Sequence, residues 1–213
     1  MADFSTLYPR LRNEALGIST AMMDLKIRDA ARQFMREVPA WRADHAVPVA
    51  VVSGTDEYPL TPPTDGEVVR VLYVDFERTD TDGSIALFPA AEVMLNRRYK
   101  QIDGSPRHFM TKKLNVLELL PVPDVTGDLI RIDMQIRPSR TAGTLDDDVL
   151  SRWEEEIMNG AQWLVYDMQD QPWTNKAEAR RYKLRFVKSW ADARRELDKG
   201  FNRTDLKVKI PDF

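Results

Sequence analysis

The sequence predicts an α+β fold in which a small α-helical bundle is interrupted by an antiparallel β-rich insertion of barrel or sandwich type. Apolar residues recur at helical spacing near both ends of the chain. Short β-rich runs separated by turn residues lie between them, and most of the 13 prolines fall in this middle region. The predicted divisions are N-terminal bundle helices at 1–45, the β-rich insertion at 46–140 and C-terminal bundle helices at 141–200.

The first long helix is predicted over residues 20–38. Ser19 or Thr20 can cap its first turn, and Pro39 ends it because proline lacks the backbone N–H that a helix interior needs. One face of this helix is apolar and comprises Met23, Ile27, Ala30, Ala31, Phe34 and Val38. A shorter helical segment before it, around residues 7–16, is interrupted by Pro9 and Gly17.

The middle of the chain predicts six strands, each bounded by glycine, proline or aspartate turn residues. The candidate strands cover residues 47–52, 67–76, 84–88, 107–111, 115–120 and 128–137. A helical turn is expected as an insertion near residues 90–99.

A third helix is predicted where the helical period returns, from Thr144 to Met168. Acidic residues crowd its N-terminal half, where the helix dipole favours them: Asp146, Asp147, Asp148, Glu154, Glu155 and Glu156. The aspartate triplet could also hold a cation, but its place at a helix start is explained by capping. Gly160 in the middle of the helix sacrifices roughly 1 kcal/mol of helix propensity, which indicates that another backbone approaches closely there.

The last helix is predicted to begin after a cap at Thr174 or Asn175. Its core face comprises Ala179, Tyr182, Phe186, Trp190, Ala193 and Leu197. Its far side is basic and comprises Arg181, Arg185, Lys188, Arg195 and Lys199. Just before this helix, Pro172 and Trp173 are predicted to fill the junction with the third helix.

Three interpretations of the basic face remain open. It is a solvated surface whose charges suit the C-terminal end of a helix dipole, or it contacts an acidic partner surface such as the third helix of a neighbouring copy. Alternatively, it contacts a nucleic-acid backbone, and the chain is then a nucleic-acid-binding module whose affinity falls steeply with salt. The formal net charge of −3 predicts no attraction of the whole chain to polyanions, so any such contact is local.

The residue inventory argues against catalysis, cofactors and metals. The chain has no cysteine, and its two histidines, His45 and His108, lack partners at a fixed spacing. No glycine-rich phosphate loop or nucleophile elbow is present. We therefore expect a protein that is not an enzyme and that has no catalytic, cofactor-binding or metal-binding residues. The first residues lack a signal-peptide pattern, and no apolar run approaches the roughly 20 residues of a membrane span.

The order of the segments resembles the head-to-tail adaptor, or connector, proteins of tailed bacteriophages. The resemblance covers approximately residues 4–200. It lies chiefly in "RPSRTAGTLDDD" at 137–148, with the following Trp153 and "NGA" at 159–161, and in "QPWTNKAEA" at 171–179.

This resemblance implies a structural virion protein of the neck or tail that is assembled in the host cytoplasm. Such adaptors form a homo-oligomeric ring, typically dodecameric, that binds the portal above and a tail or nozzle protein below. Double-stranded DNA passes through the channel without sequence-specific binding during genome ejection, and no membrane is involved.

The resemblance also implies an extended C-terminal arm at 201–213 that reaches onto the portal. The apolar residues of this arm are Phe201, Leu206, Val208, Ile210 and Phe213. The implied ring favours contact with a neighbouring copy or with the portal over DNA contact for the basic face. In a contact between copies, the complement is formed by the acidic residues Asp146, Asp147, Asp148, Glu154 and Glu155.

Overall fold

The computed structural model describes residues 1–44, 48–78, 84–90, 104–113 and 115–199, and it confirms the α+β prediction. The helices are α1 Tyr8–Glu14, α2 Thr20–Glu37, α3 Asp147–Tyr166 and α4 Lys176–Lys199, and a 3-10 turn at Phe4–Leu7 precedes α1. The strands are β1 Ala2–Asp3, β2 Trp41–Asp44, β3 Val49–Ala50, β4 Glu57–Pro59, β5 Gly66–Glu77, β6 Ser84–Ala86, β7 Phe88–Pro89, β8 His108–Lys113, β9 Val116–Leu120, β10 Leu129–Pro138 and β11 Thr144–Leu145.

The strands form two main sheets and a separate pair. In the first sheet, β10 pairs with β5 along its whole length, β6 extends the far edge of β5, and β2 and β3 pair in succession with the other edge of β10. The second sheet has the order β4-β9-β8-β7, and its only parallel pair among the described residues is β7 with β8. Within that part of the chain the sheets stay open, so they fit the sandwich-like alternative and do not form a closed barrel.

The predicted strands have their counterparts in β3 and β5–β10, whereas the strands β1, β2 and β4 were not predicted and the start of α3 differs from the prediction. A strand at Trp41–Asp44 was not predicted, and it forms because β10 offers it a pairing edge. The predicted helix start at Thr144 was wrong, since Thr144 and Leu145 pair with β1 and Asp146 is the N-cap of α3. The helical turn expected near 90–99 falls, apart from Ala90, outside the described residues.

The helix boundaries follow from capping and from proline. The Ser19 hydroxyl accepts the backbone N–H of Met22 at 3.3 Å, as expected of an N-cap. At the start of α4, the side-chain oxygen of Asn175 accepts the backbone N–H groups of Ala177 at 3.1 Å and Glu178 at 3.2 Å. Asn175, and not Thr174, therefore caps the last helix.

The helices α2, α3 and α4 pack around one aromatic cluster. The ring of Phe34 in α2 lies 5.5 Å from Trp153 in α3 and 6.3 Å from Phe186 in α4. Gly160 allows this approach: a Cβ atom placed on it would lie 2.8 Å from the Phe186 ring and 2.9 Å from the Ala30 Cβ atom. A close approach exists at Gly160, as predicted, but the nearest atoms belong to the side chains of Phe186 and Ala30 and not to another backbone.

Gln135 joins the bundle to the sheet. In a continuous helix the carbonyl of Met35 would accept the N–H of residue 39, but that residue is proline and has none. The buried side-chain amide of Gln135 on β10 donates to the Met35 carbonyl oxygen instead, at 2.6 Å. Its own carbonyl oxygen accepts the Nε of Arg70 at 2.7 Å. The larger cluster of buried hydrophobic residues also extends from the bundle into the sheets.

Candidate assembly surfaces

The segment Arg137–Asp148, which carries much of the family resemblance, lies at the meeting point of several elements. Arg28 on α2 donates to the carbonyl oxygens of Ala142 at 2.5 Å and Arg140 at 3.1 Å, and Arg32 donates to that of Pro138. The hydroxyl of Thr144 donates to the carboxylate of Asp65 at 2.7 Å. This segment therefore holds α2, the start of β5 and the start of α3 together, which is a structural role.

Glu67 completes this junction with two arginines. Its carboxylate accepts Arg137 at 2.6 Å and Arg32 at 2.9 Å. Burial alone would raise the pKa of Glu67, but the two hydrogen bonds and the two positive charges outweigh burial and lower that pKa below its ordinary value of 4.5.

Acid is therefore expected to destabilise the protein partly through Glu67. A carboxyl whose pKa is lower in the folded state stabilises that state fully above its unfolded pKa and loses this contribution as the pH falls through the folded pKa. Glu67→Gln should lower the free energy of unfolding at pH 7 by about 1–2 kcal/mol, and the difference from the wild type should shrink below pH 4.5. Urea unfolding at a series of pH values measures this, and a difference that is constant with pH would contradict it.

The acidic residues at the start of α3 divide into bonded and unbonded groups. The carboxylate of Asp146 caps the helix at the N–H groups of Asp148 and Val149. Asp147 pairs with the N-terminal amino group at 2.8 Å, and Glu154 pairs with Arg10 at 2.9 Å. In the described part of the chain, Asp148 and Glu155 are exposed and form no ion pair.

The basic residues of α4 are concentrated in its first half. Residues 176–188 contain six basic side chains and one acidic one, whereas residues 189–199 contain three of each. The dipole of the helix favours Arg195 and Lys199 near its C-terminus, but it opposes positive charge near the N-terminus. The dipole interpretation consequently does not account for Arg181 and Arg185.

The predicted basic residues of α4 are all exposed, but they differ in their contacts. Arg181 pairs with Glu178 at 2.5 Å and lies 5.0 Å from the Tyr182 ring centre, and Arg185 lies 5.7 Å from the same ring. Arg195 pairs with Asp192 at 3.2 Å. For Lys188 and Lys199, the described residues provide no ion-pair partner.

Sequence reasoning missed an apolar strip on the outer side of α4. Leu184 is 65% exposed and Val187 is 43% exposed. With Arg180 and Ala191 they follow the spacing 4, 3, 4, which is typical of a helix surface that packs on another helix. The signal was present in the sequence as apolar residues at 184, 187 and 191, roughly 120° around the helix from the buried stripe.

The turn between α3 and α4 is held by local hydrogen bonds. The Thr174 hydroxyl donates to the Met168 carbonyl oxygen at 2.8 Å, and it accepts the N–H of Gln171 at 3.0 Å. Trp173 is half-buried and packs against the main core, whereas Pro172 is exposed. The indole N–H of Trp173 is buried and finds no hydrogen-bond partner among the described residues.

A polar groove of about 330 Å³ lies between α1, α3 and α4. Its lining includes Arg10, Glu14, Glu155 and Arg185. Beneath it, the hydroxyl of Tyr166 donates to the carboxylate of Glu14, and burial followed by this bond raises the pKa of Tyr166. These contacts attach α1 to α3 and leave Glu155 and Arg185 at the surface.

Some of the predicted residues lie outside the part of the chain that the structure describes. The apolar residues of the predicted C-terminal arm, at 201–213, lie outside the described residues, and so does His45. No group of three His, Asp or Glu side chains in the described ranges could hold a metal ion. None of the helices in that part of the chain is both long enough and apolar enough to cross a membrane.

The model of the SU10 adaptor protein family matches residues 2–206 of the chain. A search of the curated proteins finds no match.

The class of this protein is that of the phage head-to-tail adaptors, as its resemblance predicted. In particular, the chain belongs to the SU10 adaptor protein family. It consequently has a structural adaptor role, and its place is the neck of the virion.

Proposed function

We propose that this adaptor forms a ring, dodecameric in the virion, between the portal of the capsid and a tail or nozzle protein. The observation that supports the proposal is the family match over nearly the whole chain. The ring assembles in the host cytoplasm and lines the passage through which double-stranded DNA leaves during genome ejection. The adaptor performs no catalysis, needs no cofactor and acts through contacts alone.

The basic and acidic helix faces are compatible with this role. In a cyclic ring each copy presents one surface to one neighbour and a different surface to the other neighbour. α4 and the start of α3 provide surfaces of opposite charge for such a contact. Nucleic-acid binding by the basic face of α4 stays the alternative prediction, and the family match favours the adaptor.

The proposal is tested by mixing the full chain with the portal protein of the same phage and imaging the complex. We expect a symmetric ring on the outward end of the portal. Portals that remain bare at saturating adaptor concentration would contradict the proposal.

Removal of residues 200–213 is expected to abolish docking without unfolding the protein. The core contacts in the described part of the chain extend to Leu197, so the truncated chain retains them. Loss of an apolar arm should weaken portal binding at least about tenfold, or roughly 1.4 kcal/mol. Sedimentation of labelled adaptor with portals measures this.

The control for the truncation is a full-length variant in which the five apolar arm residues become serine. They are Phe201, Leu206, Val208, Ile210 and Phe213. Both variants should show the urea unfolding midpoint of the wild type. Docking as tight as that of the wild type by the truncated chain would disprove the role of the arm.

A further inference from the structure

The charge of the bundle is polarised along its length. Residues 146–156 contain six acidic side chains and one basic one, whereas residues 176–188 have the reverse excess. Arg152 pairs with Glu196 at 2.7 Å, and Tyr166 stacks on Tyr182 with 5.8 Å between ring centres. α3 and α4 are thus antiparallel, and the acidic start of α3 and the basic start of α4 lie at opposite ends of the pair.

The two surfaces also match in spacing. On α4, Arg180 and Lys188 flank Leu184, and eight residues of helix separate the two charges by roughly 12 Å. On α3, Asp148 and Glu155 flank the exposed Ser151, and in a straight helix seven residues would separate them by roughly 10 Å. A kink at Trp153, with φ −113° and ψ 19°, lies between Ser151 and Glu155. The small side chain of Ser151 thus lies between two acidic residues on α3, and the large apolar side chain of Leu184 lies between two basic residues on α4.

The two surfaces lie on different helices and at opposite ends of the α3–α4 pair. Trp153 and Phe186 contribute to the shared core, whereas the residues of both surfaces are exposed. A surface cannot reach its complement within one copy, but it can reach the complement on a second copy. Repetition of such a contact generates a ring or an open filament, and it does not stop at a symmetric dimer.

We propose that one surface of α4 docks on one surface of α3 in the next copy. The α4 surface comprises Arg180, Leu184, Val187 and Lys188, and the α3 surface comprises Asp148, Ser151 and Glu155. This interface rests on the proposed ring and specifies its contact. Because the two surfaces lie at opposite ends of the helix pair, α3 and α4 run around the ring or are steeply inclined to its axis. The charges supply the register, and burial of Leu184 and Val187 supplies apolar contact.

The natural absence of cysteine permits a direct test with the full-length variant Ser151→Cys/Leu184→Cys. Within one copy the two positions are separated by about thirteen residues of helix, or roughly 20 Å, which is beyond the reach of a disulfide. Oxidation in the presence of portals should give a ladder of covalent oligomers on a non-reducing gel. Each single variant should give at most dimers.

The matched control is Ser151→Cys/Leu25→Cys, because Leu25 is exposed on α2 and lies outside the proposed interface. A ladder with this control, or none with the test pair while images show intact rings, would overturn the interface and leave the connector role standing. Absence of rings in the wild type would instead overturn the proposed function.

A charge exchange provides an independent measurement. Arg180→Glu/Lys188→Glu should reduce the number of rings on portals at least about tenfold, and adding Asp148→Lys/Glu155→Lys should restore them. Restoration shows that the variant folds and that the two surfaces meet. If Arg180→Glu/Lys188→Glu still forms intact rings but no longer binds duplex DNA, this face of α4 contacts nucleic acid and the proposal is overturned.

Discussion

Gly160→Leu is expected to lower the free energy of unfolding by about 3 kcal/mol, the upper part of the usual range for an overpacked core. The first added carbon would already lie 2.8 Å from the Phe186 ring and 2.9 Å from the Ala30 Cβ atom. Both neighbours are fully buried and cannot move aside without shifting α2 or α4. The gain in helix propensity, roughly 1 kcal/mol, opposes this loss but is smaller.

The measurement is the urea midpoint of the variant, followed by circular dichroism. Gly143→Ala is the control, because an added Cβ atom at Gly143 meets nothing within 4 Å. It should change the unfolding free energy by less than about 0.5 kcal/mol. If Gly160→Leu and Gly143→Ala change the free energy of unfolding equally, the close approach of the three helices does not exclude a larger side chain at position 160.

Gln135→Met is expected to cost about 2–4 kcal/mol, although methionine is close to glutamine in volume. The substitution removes the donor that satisfies the Met35 carbonyl oxygen and leaves Arg70 without its acceptor in Gln135. A buried polar group that loses its partner costs about 1–3 kcal/mol. The amide also lies 3.3 Å from the carbonyl oxygens of Arg36 and Val38.

Thermal or urea unfolding measures the loss, and Gln169→Met serves as the control because Gln169 is exposed in the turn after α3. The control should be nearly neutral. A Gln135→Met variant as stable as the control would show that the end of α2 does not depend on this amide. The double variant Gln135→Met/Pro39→Ala tests whether this loss of stability comes from the Met35 carbonyl oxygen, because alanine at position 39 restores a backbone N–H near it.

Much of the bundle could be predicted because helix periodicity is local. The buried side of α4 contains Ala179, Tyr182, Phe186 and Ala193, as its sequence pattern predicted. Gly160 was recognised because glycine in the middle of a helix sacrifices stability unless the space is needed. The basic residues of α4 were also found, and the structure places all of them at the surface.

The elements that were missed depend on residues distant in sequence. The strand Trp41–Asp44 exists because β10, about ninety residues later, offers an edge to pair with. Thr144 and Leu145 continue a helical pattern, but pairing with β1 makes them a strand. In each case the partner strand overrides a weak local preference.

The α+β class, the apolar faces of the helices and the segments that resemble the adaptor family can all be inferred from the sequence. These properties depend on the spacing of residues along the chain, because that spacing determines which residues share a face of a helix or strand. Two further properties depend on the folded arrangement: Gln135 replaces the donor missing at Pro39, and the acidic and basic helix starts lie at opposite ends of the bundle. Both arise from contacts between separate elements, and periodicity within a single element does not record such contacts.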